Sequence, residues 1–149
     1  MKLIAQNKKA SHDYFILDTF EVGIVLQGTE IKSIRQGKVS IKDAYARVSN
    51  GELFLVNMHV SKYKQGNIFN HDETRERKLL MGKRDIIRLG TKIKTEGLTL
   101  IPTKIYLKEG LCKLELALCK GKKLYDKRET KKREDMKRRV EKTLKDYSH

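Results

Sequence analysis

The sequence predicts a mainly β fold with helices: a closed antiparallel OB-like β-barrel over residues 1–120, then a basic C-terminal tail over residues 121–149. Three observations carry that expectation. Two stretches of alternating apolar residues turn at Asn50-Gly51 and Glu109-Gly110, and Asn-Gly is the pair that best accepts the positive φ angles of a tight hairpin. One stretch, residues 78–97, has apolar residues at helical spacing. The chain then closes on a charge-rich segment with few apolar residues. A small antiparallel sheet tends to close on itself and so remove its exposed edges, which favours the barrel.

Taken in order, residues 1–13 read as a polar, basic lead-in. Strands are expected at Tyr14–Leu17 and Glu21–Gln27, with Gly23 and Gly28 as bend points. "TEIKSIRQG" fits either one helical turn or a short strand. Val39, Ile41, Tyr45 and Arg47 alternate along the first arm of a hairpin. Beyond Asn50-Gly51, Phe54, Val56, Met58 and Val60 alternate along the second arm. "SKYKQGNIFNHDETRER" is a polar connection without a period, of a length usually reserved for function. The helix over residues 78–97 is expected to turn Leu79, Leu80, Ile86 and Ile87 to the core and Lys78, Arg84 and Arg88 outward. Gly90 is a candidate break in it and Gly97 its stop. Residues 98–121 form the second hairpin, where Pro102 marks an edge or a bulge. In the tail, Asp126 and Glu129 have capping-box spacing. Met136, Val140, Leu144 and Tyr147 make an apolar stripe one residue wide, too narrow to hold a helix alone. The tail is therefore expected to be disordered when free and helical against a polyanion. Docking of the stripe on the body is the alternative.

The chain has 149 residues and a formal net charge of +15. From Lys120 onward lie 13 of its 34 basic and 6 of its 19 acidic residues, a net of +7 that leaves +8 on the body. Such an imbalance points to a polyanionic partner, with one anionic site on the body and a second on the tail. Cys112 and Cys119 are seven apart in one expected strand and so face opposite ways. They fit neither a metal pair nor a redox CxxC, and read as buried thiols in a reducing cytosol. No apolar run nears the ~18 residues of a membrane span, and the first residues hold no export segment. A soluble, cytoplasmic monomer without membrane contact is expected. There is no GxxxxGK and no GxSxG, and His12, His59, His71 and His149 are not spaced as metal pairs. Neither catalysis nor a cofactor or metal is expected, although His71-Asp72-Glu73 keeps a metal-dependent nuclease in view as a rival. Cations interleave with aromatics at Lys62-Tyr63-Lys64, near Phe69, and around Tyr125. Lys and Arg release counterions from phosphates, and exposed aromatics stack on unpaired bases. The residues alone lead to an RNA-binding barrel with a tail that folds on binding. A ribosomal or other general RNA-binding module shares those features.

Four words narrow the choice: "NKKASHDYFI", "FEVGIVLQGTEIKSIRQGKVSIKDAY", "FNHDETRERKLLMGKRDI" and "CKGKKLYDKRET". In order and spacing, over nearly the whole chain, they resemble the SsrA-binding protein family, also called small protein B. "RKLL" and "GKKLYDKRE" are the specific parts. The resemblance implies an oligonucleotide-binding barrel that holds the tRNA-like domain of transfer-messenger RNA, and a role in trans-translation on stalled ribosomes, without chemistry of its own. It implies RNA-holding roles for Glu21, Leu80 and Lys113, with Asn7, Lys8 and Lys78 as neighbours. Leu80 has core packing as its alternative role. Glu21, which repels phosphate, would accept from base or sugar donors or fix a nearby cation. Gly121, Lys122, Lys123, Tyr125, Asp126, Lys127, Arg128, Lys131 and Arg133 correspond to the segment that contacts the ribosome near the decoding centre and in the vacant mRNA channel, with Gly121 as hinge. The chain departs from the family at Glu73, usually Pro, and at Met81-Gly82, where glycine inside a helix would be unfavourable by about 1 kcal/mol.

Overall fold

The structure, a computed structural model, describes residues 1–64 and 70–122. Among them the fold is mainly β with three helices. The lead-in is not loop: β1 (Lys2–Gln6) is followed by the short α1 (Ala10–Asp13). The two strand signals that follow merge into one eleven-residue strand, β2 (Tyr14–Ile24), with an irregularity between Ile16 and Asp18. "TEIKSIRQG" resolves as helix, α2 (Gly28–Arg35), opened by a capping box between Gln27 and Glu30.

The first hairpin arm is broken in two. β3 (Val39–Ser40) pairs with β6 (His59–Val60), whereas β4 (Tyr45–Ser49) pairs with β5 (Glu52–Val56) through a turn in which Asn50 and Gly51 both have positive φ, 52° and 76°. The expected faces shift accordingly. Ile41, Ala44 and Ala46 are buried, and Tyr45 and Arg47 point out. In the return arm Leu53 and Leu55 are buried in place of Phe54 and Val56, while Met58 and Val60 are buried as expected. Asn57, left-handed at φ 64°, inserts the half-step that changes which parity faces the core.

β7 (Arg77–Leu80) then alternates buried and exposed, with Arg77 and Leu79 in and Lys78 and Leu80 out. The helix expected from residue 78 therefore starts later, as α3 (Lys83–Glu96), with Gly82 as its N-cap rather than an interior residue, so the expected helix penalty does not apply. Ile86 and Leu89 face the core, and Ile87 does not. The helix runs through Gly90, where a Cβ would come 3.1 Å from Val48 Cγ1, and ends at Gly97 with φ 65°. β8 (Thr99–Lys108) and β9 (Leu111–Gly121) form the last hairpin, again across two positive φ angles at Glu109 and Gly110. Its register slips between Pro102 and Lys104, the bulge that proline signalled.

The strands join in the order β1-β8-β4-β5-β7-β2-β9, and β9 also pairs with β8, so six strands form a hydrogen-bonded ring with β1 attached outside it. Val22, Ile34, Leu53, Leu55, Leu79, Leu100, Ile105, Leu114, Leu116 and Leu118 fill the interior. Cys112 packs against that interior and Cys119 with Ala10, Ile101 and Ala117 on the other face, as the odd spacing requires. Burial pushes both thiols up, to about 11 and about 12, which leaves them protonated and unreactive.

One charged group lies inside. Arg77, with no exposure, gives its Nε–H to Glu30 Oε2 at 2.5 Å, and its terminal nitrogens to the carbonyls of Met58, Asp72, Glu73 and Arg75. Glu30 Oε1 accepts from Arg75 and from the Gln27 N–H. Burial raises the Glu30 carboxyl pKa, but the bonds from Arg75, Gln27 and Arg77 together outweigh it and hold the group below its ordinary value.

Glu30→Gln should therefore strand a buried guanidinium and lower stability by about 3–5 kcal/mol in urea denaturation. Because the folded carboxyl is depressed, its contribution is whole above the ordinary glutamate value of about 4.3 and is lost as pH falls through the folded one. The stability of Glu30→Gln should accordingly fall less steeply than that of the unsubstituted chain below pH ~4; an equal acid slope would contradict this account.

Candidate nucleic-acid interface

Side chains on the outer face of the ring are placed by register. Across neighbouring strands Leu80 (β7) stands opposite Gly23 (β2), Gly23 opposite Lys113 (β9), Lys113 opposite Tyr106 (β8), and Tyr106 opposite Leu3 (β1). Five strands thus contribute one continuous row. The core takes the intervening positions Val22, Ile24, Leu79, Ile105 and Leu114, so the row residues lie on the outer side. Gly23 makes room in it: a Cβ there would come 3.3 Å from Leu80 Cδ1. Leu80 consequently lies over the glycine and remains 54% exposed, which rules out the plain core role open to it in sequence.

Glu21 is two residues from Gly23 on β2, on the same face, and its neighbours explain an acid there. The Tyr106 hydroxyl donates to Glu21 Oε2 at 2.5 Å, and Lys108 Nζ lies 3.5 Å from both carboxylate oxygens. The Tyr106 bond, opposed by burial and helped by Lys108 and Lys113, holds the Glu21 carboxyl below its ordinary value. In return, burial and the bond to Glu21 raise the phenol. Glu21, Leu80 and Lys113, far apart in the chain, are thus brought onto one patch.

Lys78 is on the same side of β7, paired with Glu52 at 3.5 Å and opposite Phe54, over which the Arg47 guanidinium lies at 5.4 Å. Asn7 and Lys8 stand apart from the row, past the end of β1. There the Asn7 N–H donates to Thr103 O, and the two residues line a shallow hollow with Thr19, Lys104 and Glu115. Gly121, expected as a hinge, is the last residue of β9 and pairs with Tyr14. Lys122 donates to Ser11 O at 2.9 Å and lies 5.0 Å over the Phe15 ring, so the last described residue is tied to the body. Lys123, Tyr125, Asp126, Lys127, Arg128, Lys131 and Arg133 lie outside the described residues, as does Phe69. Tyr63, a candidate stacking ring, is engaged by Lys32 at 5.5 Å and by two bonds with Asn70.

The triplet at His71 has a structural explanation. His71 is buried, its Nε2 bonded to Val60 O at 2.8 Å and its Nδ1 to Thr29 Oγ1 at 2.9 Å, which ties α2 to β6. His59 pairs with Glu73, and among the described residues no group of three or more His, Cys, Asp or Glu could hold a metal. No described helix is long and apolar enough to cross a membrane. Sequence reasoning missed Tyr106 and Leu3, and read Gly23, which lies within β2, as a bend point. Their local words show only a strand period, and it is pairing across strands that makes them neighbours of Lys113 and Leu80.

Removing the phenol should release the acid. In Tyr106→Phe the Glu21 carboxyl, followed by 13C NMR titration, should move up towards the ordinary glutamate range, and Lys108→Gln should move it less; no difference between the two would remove Tyr106 as the leading cause.

A family model described as "SmpB protein" matches residues 4–146. An SsrA-binding protein of Enterococcus hirae is 57% identical over 147 residues, covering 99% of this chain and 96% of that protein. One of Thermoanaerobacter pseudethanolicus is 59% identical over 146 residues, covering 98% and 94%. A solved structure described as "tmRNA-SmpB: a journey to the center of the bacterial ribosome" contains a chain 46% identical to this one, with a TM-score of 0.68 over 94% of this chain and 96% of that one.

Proposed function

This chain belongs to the SmpB, or SsrA-binding protein, family, and on that premise we propose that it binds the tRNA-like domain of transfer-messenger RNA (SsrA RNA) and brings it to stalled ribosomes for trans-translation. The tag is then templated by the RNA and the ribosome released. The protein is a binding factor and not an enzyme. It works in the cytoplasm as a monomer, and its ring of six strands is an OB-like barrel. The observation that carries the reading is the row Leu80–Gly23–Lys113–Tyr106–Leu3 with Glu21 beside it. It offers an exposed apolar side chain, cations for phosphate and an ionised acceptor on one strand-built surface. Elements of that kind suit a structured RNA whose backbone and base edges are met together.

Asn7, Lys8 and Lys78 extend this surface in the proposal. The segment from Gly121 onward, rich in Lys and Arg, serves the second partner. It enters the vacant mRNA channel of the small subunit near the decoding centre, where phosphates line the walls. Gly121 pairs with Tyr14 and Lys122 donates to Ser11 O, so the first two residues of this segment are tied to the body.

The full chain and a chain ending at Lys122 should both bind the tRNA-like domain at near-physiological salt and prefer it to competing tRNA. Leu80→Ala and Lys113→Ala should each weaken binding by roughly tenfold. Only the full chain should support tagging on ribosomes stalled without a stop codon. Equal competition by tRNA would make this a general RNA-binding module, and RNA cleavage dependent on a divalent ion would make it a nuclease.

A further inference from the structure

We propose that Tyr106 is a positioning residue for RNA recognition: its hydroxyl holds the Glu21 carboxylate so that the remaining oxygen accepts from an uncharged donor of the RNA, a base N–H or a ribose 2′-hydroxyl. The inference rests on the reading above and says what the acid in that surface is for. A carboxylate among phosphates is repulsive and needs a reason. Two are available, service as counterion to Lys108 or acceptance from the ligand, and the geometry separates them.

Lys108 approaches both oxygens only at 3.5 Å, from a side chain 49% exposed, an arrangement worth little in water. The phenol is different. Tyr106 is 6% exposed, stands in register between Lys113 and Leu3, and places its hydroxyl 2.5 Å from Oε2. A hydroxyl donating to a charged acceptor from a rigid ring is short, strong and directional. It fixes one oxygen and with it the plane of the carboxylate. Oε1, 3.5 Å from Lys108 Nζ, belongs to a side chain that is itself 42% exposed, with Glu115 opposite it on β9 and Lys113 close enough to lower the carboxyl pKa. With those ammonium groups flanking it, phosphates settle on the lysines, and the acceptor between them matches only a donor. A site built around a fixed acceptor discriminates against ligands that lack the donor, because the acceptor is then desolvated without a partner. The same bond is the leading cause that holds the carboxyl below its ordinary value.

A double-mutant cycle on the full chain tests this, with the tRNA-like domain transcript as probe and tRNA as competitor. Tyr106→Phe should weaken binding about tenfold, and Glu21→Ala at least as much. Tyr106→Phe should cost nothing further in the Glu21→Ala background, since the phenol acts only through the acid. Glu21→Asp keeps the charge but withdraws it from the phenol, and should behave as Tyr106→Phe does, which guards against a fold defect in either variant. Wild-type affinity in Tyr106→Phe, or full additivity in the cycle, overturns the proposal while leaving the broader reading intact. Failure of the unsubstituted chain to prefer the tRNA-like domain overturns both. Modified transcripts identify the donor: coupling lost with inosine in place of guanosine assigns it to the guanine amino group, and coupling lost on 2′-deoxy substitution assigns it to the ribose hydroxyl.

Discussion

The Glu30–Arg77 pair organises everything around it. All the polar groups of the Arg77 fork are used, one on Glu30 and the others on carbonyls at residues 58, 72, 73 and 75. One side chain thereby ties α2, the link between β5 and β6, the approach to β7 and β7 itself into one unit. Arg75 closes the arrangement from outside by reaching Glu30 Oε1 and Val25 O. Buried ion pairs of this sort are seldom the most stabilising choice, since desolvation offsets much of the attraction. Their physical effect is selectivity among alternatives, because a misregistered β7 would leave a charge inside without partners.

That selectivity reaches the outer surface. A strand alternates, so a guanidinium drawn inward at position 77 fixes Leu79 inward and Lys78 and Leu80 outward. Pairing of β7 with β2 sets Leu80 against Gly23, the one residue type that leaves space for it, and β2 in turn sets Gly23 against Lys113. The row on the outer face is therefore a consequence of the charge inside. An exposed leucine is an ordinary surface feature when isolated. Held over a glycine, beside a lysine and next to an ionised acid, it becomes part of a shaped surface.

Legibility in the sequence divides along the same line. Turns were readable because their chemistry is local: Asn50-Gly51 and Glu109-Gly110 carry the positive φ angles themselves, and Pro102 announces a bulge. The stop of α3 at Gly97 was readable for the same reason. Its start was not. "RKLLMGKRDII" has apolar residues that fit a helix, and what makes its first four residues a strand is Glu30, 47 positions away. β1 was missed because "KLIAQ" is short and half polar, and its order comes from β8. The exchange of Leu53 and Leu55 for Phe54 and Val56 turned on the backbone of Asn57. Of the surface, Glu21, Leu80 and Lys113 came from family resemblance; their adjacency, and the part of Tyr106, required strand register.

Charge and selectivity have different sources in such a surface. A net charge of +15 attracts any nucleic acid, and the attraction fades with salt without regard to sequence or shape. Lysines on flexible stems add to it and distinguish little. What distinguishes one RNA from another must be held still and must be unfavourable when unmatched. Strand positions supply the first requirement, since their side-chain directions are set by pairing on both sides. In the recognition proposed above Glu21 would supply the second, because an ionised acid repels a misplaced phosphate and is desolvated at a loss wherever no donor meets it. The most informative residue of a strongly basic surface is on this argument its acid, and the residue that makes the acid informative is the buried phenol behind it.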